Sequence, residues 1–142
     1  MDNNTNFSTT LQKVFSVAEK LAKDYGSSYI GSEHLVMAML TCPECTACKL
    51  LIWSRATEGQ FKEYFVRSID KRANINGYTP RTKETIDKAV ELGGTITRTE
   101  HLLMVILNSD ECLAMRILRA MGADIKMLKF DTEFVVNLGA EQ

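Results

Sequence analysis

The chain has 142 residues, of which 45% are hydrophobic and 25% charged, with 17 basic residues against 18 acidic ones. These values are typical of one globular domain, expected to cover residues 1–142, and the net charge of -1 predicts neither a nucleic-acid partner nor a membrane partner. The longest apolar run, Leu35 to Leu40, is far shorter than the roughly 20 residues that cross a bilayer. The N-terminus also lacks the pattern of a secretory signal. We therefore expect a cytoplasmic protein whose cysteines are reduced thiols.

The sequence contains two copies of one unit. Residues 33–56 align without a gap with residues 100–123 and are identical at ten of the 24 positions. Upstream, residues 7–22 align with residues 78–93, and the second copy then lacks four residues before the next match. Four residues are close to one helical turn, so we expect a helix in the second copy to be shortened. The predicted repeats cover about 7–70 and 78–138, joined by a connector at 71–77.

In chain order, the first copy reads as four helices. Apolar residues recur at i, i+3, i+4 and i+7 in the first helix, and turn or capping residues separate it from the others. The predicted limits are Leu11 to Ala22 with a stop near Gly26, a start after the N-cap Ser32, a start near Glu44 after Pro43, and Glu58 to Ile69.

The second copy carries matching signals. Thr79 is placed to cap a helix that begins at Pro80, Thr99 to cap the next helix, and Gly122 to end the third. No segment alternates as a strand does. The sequence therefore predicts an all-α fold of eight helices.

Several short stretches carry a family resemblance: FSTT at 7–10, YIGSEHLVMAML at 29–40, YTPR at 78–81, ITRTEHLLMVIL at 96–107 and MRILRAMGAD at 115–124. Over roughly residues 7–138 the chain resembles the Clp amino-terminal (Clp repeat) domain of AAA+ protein unfoldases of the ClpC and ClpA type. The resemblance implies one compact domain of two pseudo-symmetric four-helix repeats.

The resemblance also implies a function without catalysis. The expected partners are adaptor proteins and protein substrates, together with the Clp ATPase ring where the domain is part of a longer chain, and no cofactor is expected. No P-loop motif GxxxxGK[ST] occurs in the sequence. The alternative is a standalone regulator that resembles this domain and sequesters adaptors.

In the related bacterial unfoldases each repeat can bind a phosphorylated arginine, with the glutamate of the EHL motif on the guanidinium and the start of the first helix on the phosphate. The matching residues are Thr79, Arg81 and Glu100 in the second copy and Ser8, Thr10 and Glu33 in the first. Because Thr10 stands where the family has arginine, we expect the second site to bind better. Both glutamates also have a structural reading, as acidic residues in the first turn of a helix.

Three cysteines, Cys42, Cys45 and Cys48, repeat the CxxC spacing and are candidate ligands of a zinc ion or an iron-sulfur cluster. Cys45 aligns with Cys112, and Cys48 aligns with Met115. Such partners favour packing in the core, so a small metal or redox protein is the weaker alternative.

The first copy is also richer in aromatic residues, with Trp53, Phe61, Tyr64 and Phe65 at helical spacing. We expect them in the core, and an exposed member of the set would indicate a partner surface.

Overall fold

A computed structural model describes residues 6–70 and 75–140. The N-terminal residues 1–5 and residues 71–74 of the predicted connector lie outside this range. Eight α-helices form over the described residues, which confirms the all-α prediction, and two strands of two residues each accompany them. The elements in chain order are α1 (Thr9–Asp24), β1 (Tyr29–Ile30), α2 (Ser32–Leu40), α3 (Thr46–Trp53), α4 (Glu58–Ser68), β2 (Gly77–Tyr78), α5 (Pro80–Gly93), α6 (Thr99–Leu107), α7 (Leu113–Ala120) and α8 (Ile125–Ala140). None of the helices in this part of the chain is both long and apolar enough to span a membrane.

The second helix of each copy lies at the centre of the fold. In α2 every residue from Glu33 to Leu40 is buried, and in α6 nearly every residue is. Each of these helices packs against the helices of its own copy and against the other copy as well, since α2 contacts α7 and α6 contacts α3. The two copies therefore share one hydrophobic core.

The helices α2 and α6 do not begin as the sequence predicted. Their N-caps are Gly31 and Arg98, one residue before the predicted caps Ser32 and Thr99. The reason lies in the histidine three residues after each N-cap. The Nδ1 atom of His34 accepts a hydrogen bond from the Gly31 N–H at 3.0 Å, and that of His101 accepts from the Arg98 N–H at 2.8 Å.

The displaced hydroxyl residues cap a helix of the other copy instead. Ser32 Oγ accepts a hydrogen bond from the N–H of Ala114 in α7 at 3.1 Å, and Thr99 Oγ1 accepts one from the N–H of Ala47 in α3 at 3.2 Å. Each bond satisfies an N–H at the start of a helix that has no partner within its own helix. The two copies are thus joined by an equivalent pair of exchanged caps.

Two further expectations are corrected. The third helix starts at Thr46 rather than near Glu44, because Cys45 is its N-cap and its Sγ accepts a hydrogen bond from the Cys48 N–H at 3.2 Å. The four-residue deletion is shared between a helix and a loop: α1 has 16 residues and α5 has 14, and the following connector runs over 25–31 in the first copy but 94–98 in the second.

Short parallel pairings also cross between the copies. β1 pairs with β2, and Thr79 N–H donates to the carbonyl of Ile30 at 3.1 Å. The equivalent pairing joins Phe7 to Thr97, and Ser8 N–H donates to the carbonyl of Thr97 at 2.8 Å. As a result, the start of the first helix in each copy lies beside the start of the second helix in the other copy.

Removing an exchanged cap should destabilise the fold although both helices remain intact. For Thr99→Val, which keeps the shape of the side chain, we expect a loss of about 1 kcal/mol in the free energy of unfolding, measured by urea denaturation. Ser16→Ala, at an exposed position of α1, is the control and should change little. Equal stability of the Thr99 and Ser16 variants would contradict the exchanged-cap interpretation.

Candidate functional site

A cavity of about 280 Å³ lies where the start of α1 meets the start of α6. We refer to it as the Glu100 cavity, because Glu100 lines it opposite Ser8, Thr9 and Thr10 of the first copy. Ser8 and Thr10 were predicted to form a site with Glu33. The structure does not bring them together, because the backbone bond from Ser8 to Thr97 brings α1 to the second copy.

The start of α1 presents free backbone donors to this cavity. Ser8 is the N-cap, and its side chain accepts a hydrogen bond from the Leu11 N–H at 3.1 Å. The N–H groups of Thr9 and Thr10, in the first turn, have no acceptor within the helix. Such N–H groups, together with the positive end of the helix dipole, favour an anion.

Glu100 is nine-tenths buried, at 9% exposure, and lines the cavity wall. Among residues 6–70 and 75–140 its carboxylate has no hydrogen bond and no ion pair. The carboxylate oxygens are not enclosed by protein, so they are open to the cavity, where a cationic ligand would form charge-assisted hydrogen bonds with them. Arg98, two residues away, also lines the cavity, and its guanidinium forms no ion pair within the described part of the chain.

A second cavity of about 410 Å³ adjoins the first and shares Ile96, Arg98 and Glu100 with it. Its other walls come from the end of α5, including Leu92, and from the end of α8, including Val136. The Glu100 carboxylate therefore stands at the boundary between a polar cavity at the α1 terminus and a partly apolar one.

The equivalent glutamate of the first copy is closed off. Glu33 is only 3% exposed, and its Oε2 accepts a hydrogen bond from the Tyr29 hydroxyl at 3.0 Å. The Tyr29 hydroxyl oxygen in turn accepts from the Asp70 N–H at 3.3 Å. Burial raises the pKa of Glu33, and it raises the pKa of Tyr29 to about 12. The Glu33 carboxylate therefore lies in the interior, held by a tyrosine, and lines none of the three cavities described in the structure.

One sequence difference explains why the two glutamates point differently. A Cβ atom placed on Gly31 would lie 2.3 Å from Glu33 Oε1, so the carboxylate folds back over a position that has no side chain. The second copy has Arg98 at this position, with φ -116° and ψ 172° against -114° and -176° at Gly31. Since the backbone is nearly the same, the Cβ of Arg98 blocks the folded-back position for Glu100. The second copy also has Ile96 where the first has Tyr29, so the hydroxyl donor is missing.

The other predicted residues of the second copy, Thr79 and Arg81, lie away from Glu100. Thr79 is the N-cap of α5, as predicted, and its side chain accepts from the Thr82 N–H at 3.1 Å. Arg81 lines a shallow cavity of about 230 Å³ and donates to the carbonyl of Glu111 at 3.3 Å. The predicted set Thr79, Arg81 and Glu100 is therefore not assembled.

Comparison with known proteins agrees with this architecture. The profile of the Clp repeat (R) N-terminal domain family matches residues 6–94 and again residues 77–142. The chain belongs to this family. The domain is 29% identical over 127 residues to the "Negative regulator of genetic competence ClpC/MecB" of Bacillus subtilis, and 30% identical over 138 residues to the "ATP-dependent Clp protease ATP-binding subunit ClpC" of Staphylococcus epidermidis. These matches cover 84% and 92% of this chain but only 16% and 17% of the two relatives.

Solved structures show the same fold. The N-terminal domain of ClpD from Arabidopsis thaliana superposes with a TM-score of 0.74 at 18% identity, covering 92% of this chain and 97% of that one. The ClpV N-domain in complex with a VipB peptide superposes with a TM-score of 0.68 at 15% identity, covering 96% of both chains.

The cysteines of this Clp repeat domain are part of the core. Cys42, Cys45 and Cys48 are free thiols with at most 1% exposure. Cys42 is buried like the other two, although the second copy has a serine, Ser109, at the equivalent position. Cys45 donates to the carbonyl of Met39, and Cys112 donates to the equivalent carbonyl of Ile106. Burial raises the pKa of Cys42 to about 11 and raises that of Cys45 and Cys48. Because a metal binds the thiolate, this environment favours packing over metal binding.

The prediction that the aromatic residues of the first copy lie in the core is confirmed for Phe61 and Phe65 and is wrong for Trp53. Phe61 and Phe65 are fully buried, whereas Trp53 is 62% exposed at the end of α3. The last helix also exposes four apolar side chains on one face: Met127, Phe130, Phe134 and Leu138. None of these exposed residues lines the two cavities at Glu100.

Substituting Gly31 should show that the Glu33 position depends on a missing side chain. In Gly31→Ala the new Cβ would lie 2.3 Å from Glu33 Oε1, so the carboxylate must move and lose its bond to Tyr29. We expect a loss of about 1 kcal/mol in the free energy of unfolding, because this hydrogen bond is lost while the flexible carboxyl end itself can move away. Gly59→Ala, in open space in α4, is the control and should stabilise slightly. Two glycine variants of equal stability would contradict the clash.

The pH dependence of stability should separate Glu33 from His34. Burial lowers the pKa of His34 from 6.5 to about 4, so His34 stabilises the fold above pH 6.5 and this contribution is lost as the pH falls towards 4. The raised pKa of Glu33 has the opposite effect on the stability of the fold. The stability that Glu33 contributes is present below its unfolded pKa of 4.5 and is lost as the pH rises.

In Glu33→Gln the opposing contribution is absent. We expect this variant to be more stable than the native domain at neutral pH, and to lose up to about 1.4 kcal/mol more per pH unit on acidification below pH 6.5. Urea denaturation across this pH range measures both effects. A smaller acid loss in Glu33→Gln than in the native domain would contradict the assignment.

Proposed function

We propose that this domain is a non-catalytic recognition module that acts in the cytoplasm and delivers protein substrates or adaptors to an ATP-dependent Clp unfoldase. The relatives named above support the proposal, since one is described as the ATP-binding subunit of a Clp protease. A solved ClpV N-domain is described in complex with a peptide of VipB, which supports peptide binding by this fold. The chain spans 16–17% of the length of those ClpC relatives, so the ATPase ring would be a partner within a longer chain.

The ligand that fits the Glu100 cavity is a phosphorylated arginine. The observation that carries this proposal is Glu100, a buried residue whose carboxylate has no partner among the described residues and which lines the cavity together with the open helix terminus at Thr9 and Thr10. A guanidinium group forms charge-assisted hydrogen bonds with a carboxylate, and a phosphoryl group is bound by N–H groups at a helix start. Phosphoarginine carries both groups on one side chain.

The binding site is composed of residues from both copies. Ser8 orders the α1 terminus, Thr9 and Thr10 offer their N–H groups, and Glu100 takes the guanidinium. This differs from the sequence expectation, which placed the better site at Thr79, Arg81 and Glu100. We propose no equivalent site for the set containing Thr79, Arg81 and Glu33, because the Glu33 carboxylate already accepts a hydrogen bond from the Tyr29 hydroxyl.

Calorimetric titration with free phosphoarginine tests this function. We expect one binding site per chain rather than two. Of the two equivalent glutamates, Glu33 is hydrogen-bonded to Tyr29, whereas Glu100 has no partner among the described residues. Glu100→Gln should weaken binding by about 10- to 100-fold, since it removes a hydrogen bond between charged groups.

The matched control is Glu33→Gln, which makes the same change at the equivalent residue of the other copy and should leave the affinity unchanged. Absence of heat with the native domain would contradict the phosphoarginine proposal. Equal effects of the two glutamine variants, or two sites per chain, would contradict the assignment to Glu100.

A further inference from the structure

We propose that Arg98 supplies the positive charge that distinguishes a phosphorylated arginine from an unmodified one in the Glu100 cavity. The inference rests on the proposed function and adds a residue that selects the ligand. Arg98 belongs to the second copy, at the N-cap of α6, where the first copy has Gly31.

The charges around the cavity create the need for a cation. Two carboxylates line it, Glu44 and Glu100. Glu44 pairs with Lys13, and this ion pair and its hydrogen bond lower the pKa of Glu44 to about 2, so Glu44 is ionised at neutral pH. With Glu44 paired to Lys13 and Glu100 on the ligand guanidinium, the phosphoryl charge would have only the N–H groups of α1 as partners unless a cation also lines the cavity.

Arg98 is the cationic side chain that lines the cavity. The residues described as lining it include no lysine and no arginine besides Arg98. Lys13, which is outside this lining, forms an ion pair with Glu44. Position 10, at the start of α1, is a threonine, whereas the equivalent position of the other copy is Arg81. The cation therefore comes from a different element in the Glu100 cavity, across the repeat boundary. A guanidinium is well suited to this role, because its planar set of donors matches phosphate oxygens.

The Arg98 guanidinium is also free to take this role. It has no ion pair with Glu100, although both residues line the same two cavities, nor with any other carboxylate in residues 6–70 and 75–140. Phosphoarginine carries both a cationic and an anionic group. Its guanidinium would contact Glu100, and its phosphoryl group would contact Arg98, two residues away.

Arg98 has two separable effects. Its Cβ keeps Glu100 from folding back as Glu33 does, and its guanidinium supplies the charge. Arg98→Gln keeps the Cβ and removes the charge, so it isolates the second effect. Arg98→Gly removes both and reproduces the sequence at Gly31.

Calorimetry with free phosphoarginine at several salt concentrations tests the proposal. We expect Arg98→Gln to bind roughly tenfold more weakly than the native domain and to lose part of the salt dependence, because a charged contact to phosphate is removed. Adding Thr10→Arg to Arg98→Gln should restore most of the affinity by placing a cation at the α1 terminus. Arg116→Gln, at an exposed arginine outside both cavities, is the control and should bind like the native domain.

Competition with unmodified arginine tests selectivity in the same experiment. Arg98→Gln should lower the ratio of the affinities for phosphoarginine and arginine, whereas Glu100→Gln should weaken both ligands. An Arg98→Gln variant within twofold of the native affinity, with Glu100→Gln still impaired, would overturn the role of Arg98 and leave the proposed function standing. Loss of binding with an unchanged salt dependence and no recovery on adding Thr10→Arg would also overturn it. No binding by the native domain would instead remove the proposed function itself.

Discussion

The exchange of helix caps and backbone bonds between the two copies is the constraint on which the rest of this domain depends. Ser32 and Thr99 cap helices of the opposite copy, and the bonds from Thr79 to Ile30 and from Ser8 to Thr97 bring the first helix of each copy to the second helix of the other. Because a helix start carries unsatisfied N–H groups, each copy on its own would leave donors unpaired. The folding unit is therefore the pair, and both potential binding positions lie at the junctions.

The same junction accounts for the divergence of the two positions. At one junction Glu33 folds over Gly31 and is held by Tyr29, so a carboxyl group that could contact a ligand is packed in the interior instead. At the other, Arg98 and Ile96 replace those two residues, and Glu100 is left without a partner in the part of the chain that the structure describes. Changes of side chain at the N-cap and two residues before it thus separate a structural glutamate from a candidate ligand-binding one. The backbone is nearly identical at both places.

A site of this kind suits the recognition function proposed above. The site combines a carboxylate, open helix N–H groups and an unpaired arginine, and each of these binds a ligand group of opposite charge. It can therefore select a ligand by the arrangement of its charged groups, without a nucleophile or a general base. The buried cysteines and neutral histidines around it contribute packing and helix capping, since burial raises the pKa of the thiols and lowers that of the imidazoles.

Much of this architecture is determined by the sequence alone. Apolar spacing and the Thr79–Pro80 start predicted the helices, because these depend on local propensity and on periodic burial. The match between residues 33–56 and 100–123 predicted the duplication, and the resemblance of several motifs to the Clp repeat domain predicted the family. The tertiary structure decided which copy completes each site. Ser32 and Thr99 were expected to cap their own helices, because local patterns report only the nearest available partner. The family resemblance, applied copy by copy, placed Glu100 with Thr79 and Arg81. The actual partners lie more than 50 residues away along the chain, and only the packing of α2 and α6 in one shared core brings them within hydrogen-bonding distance.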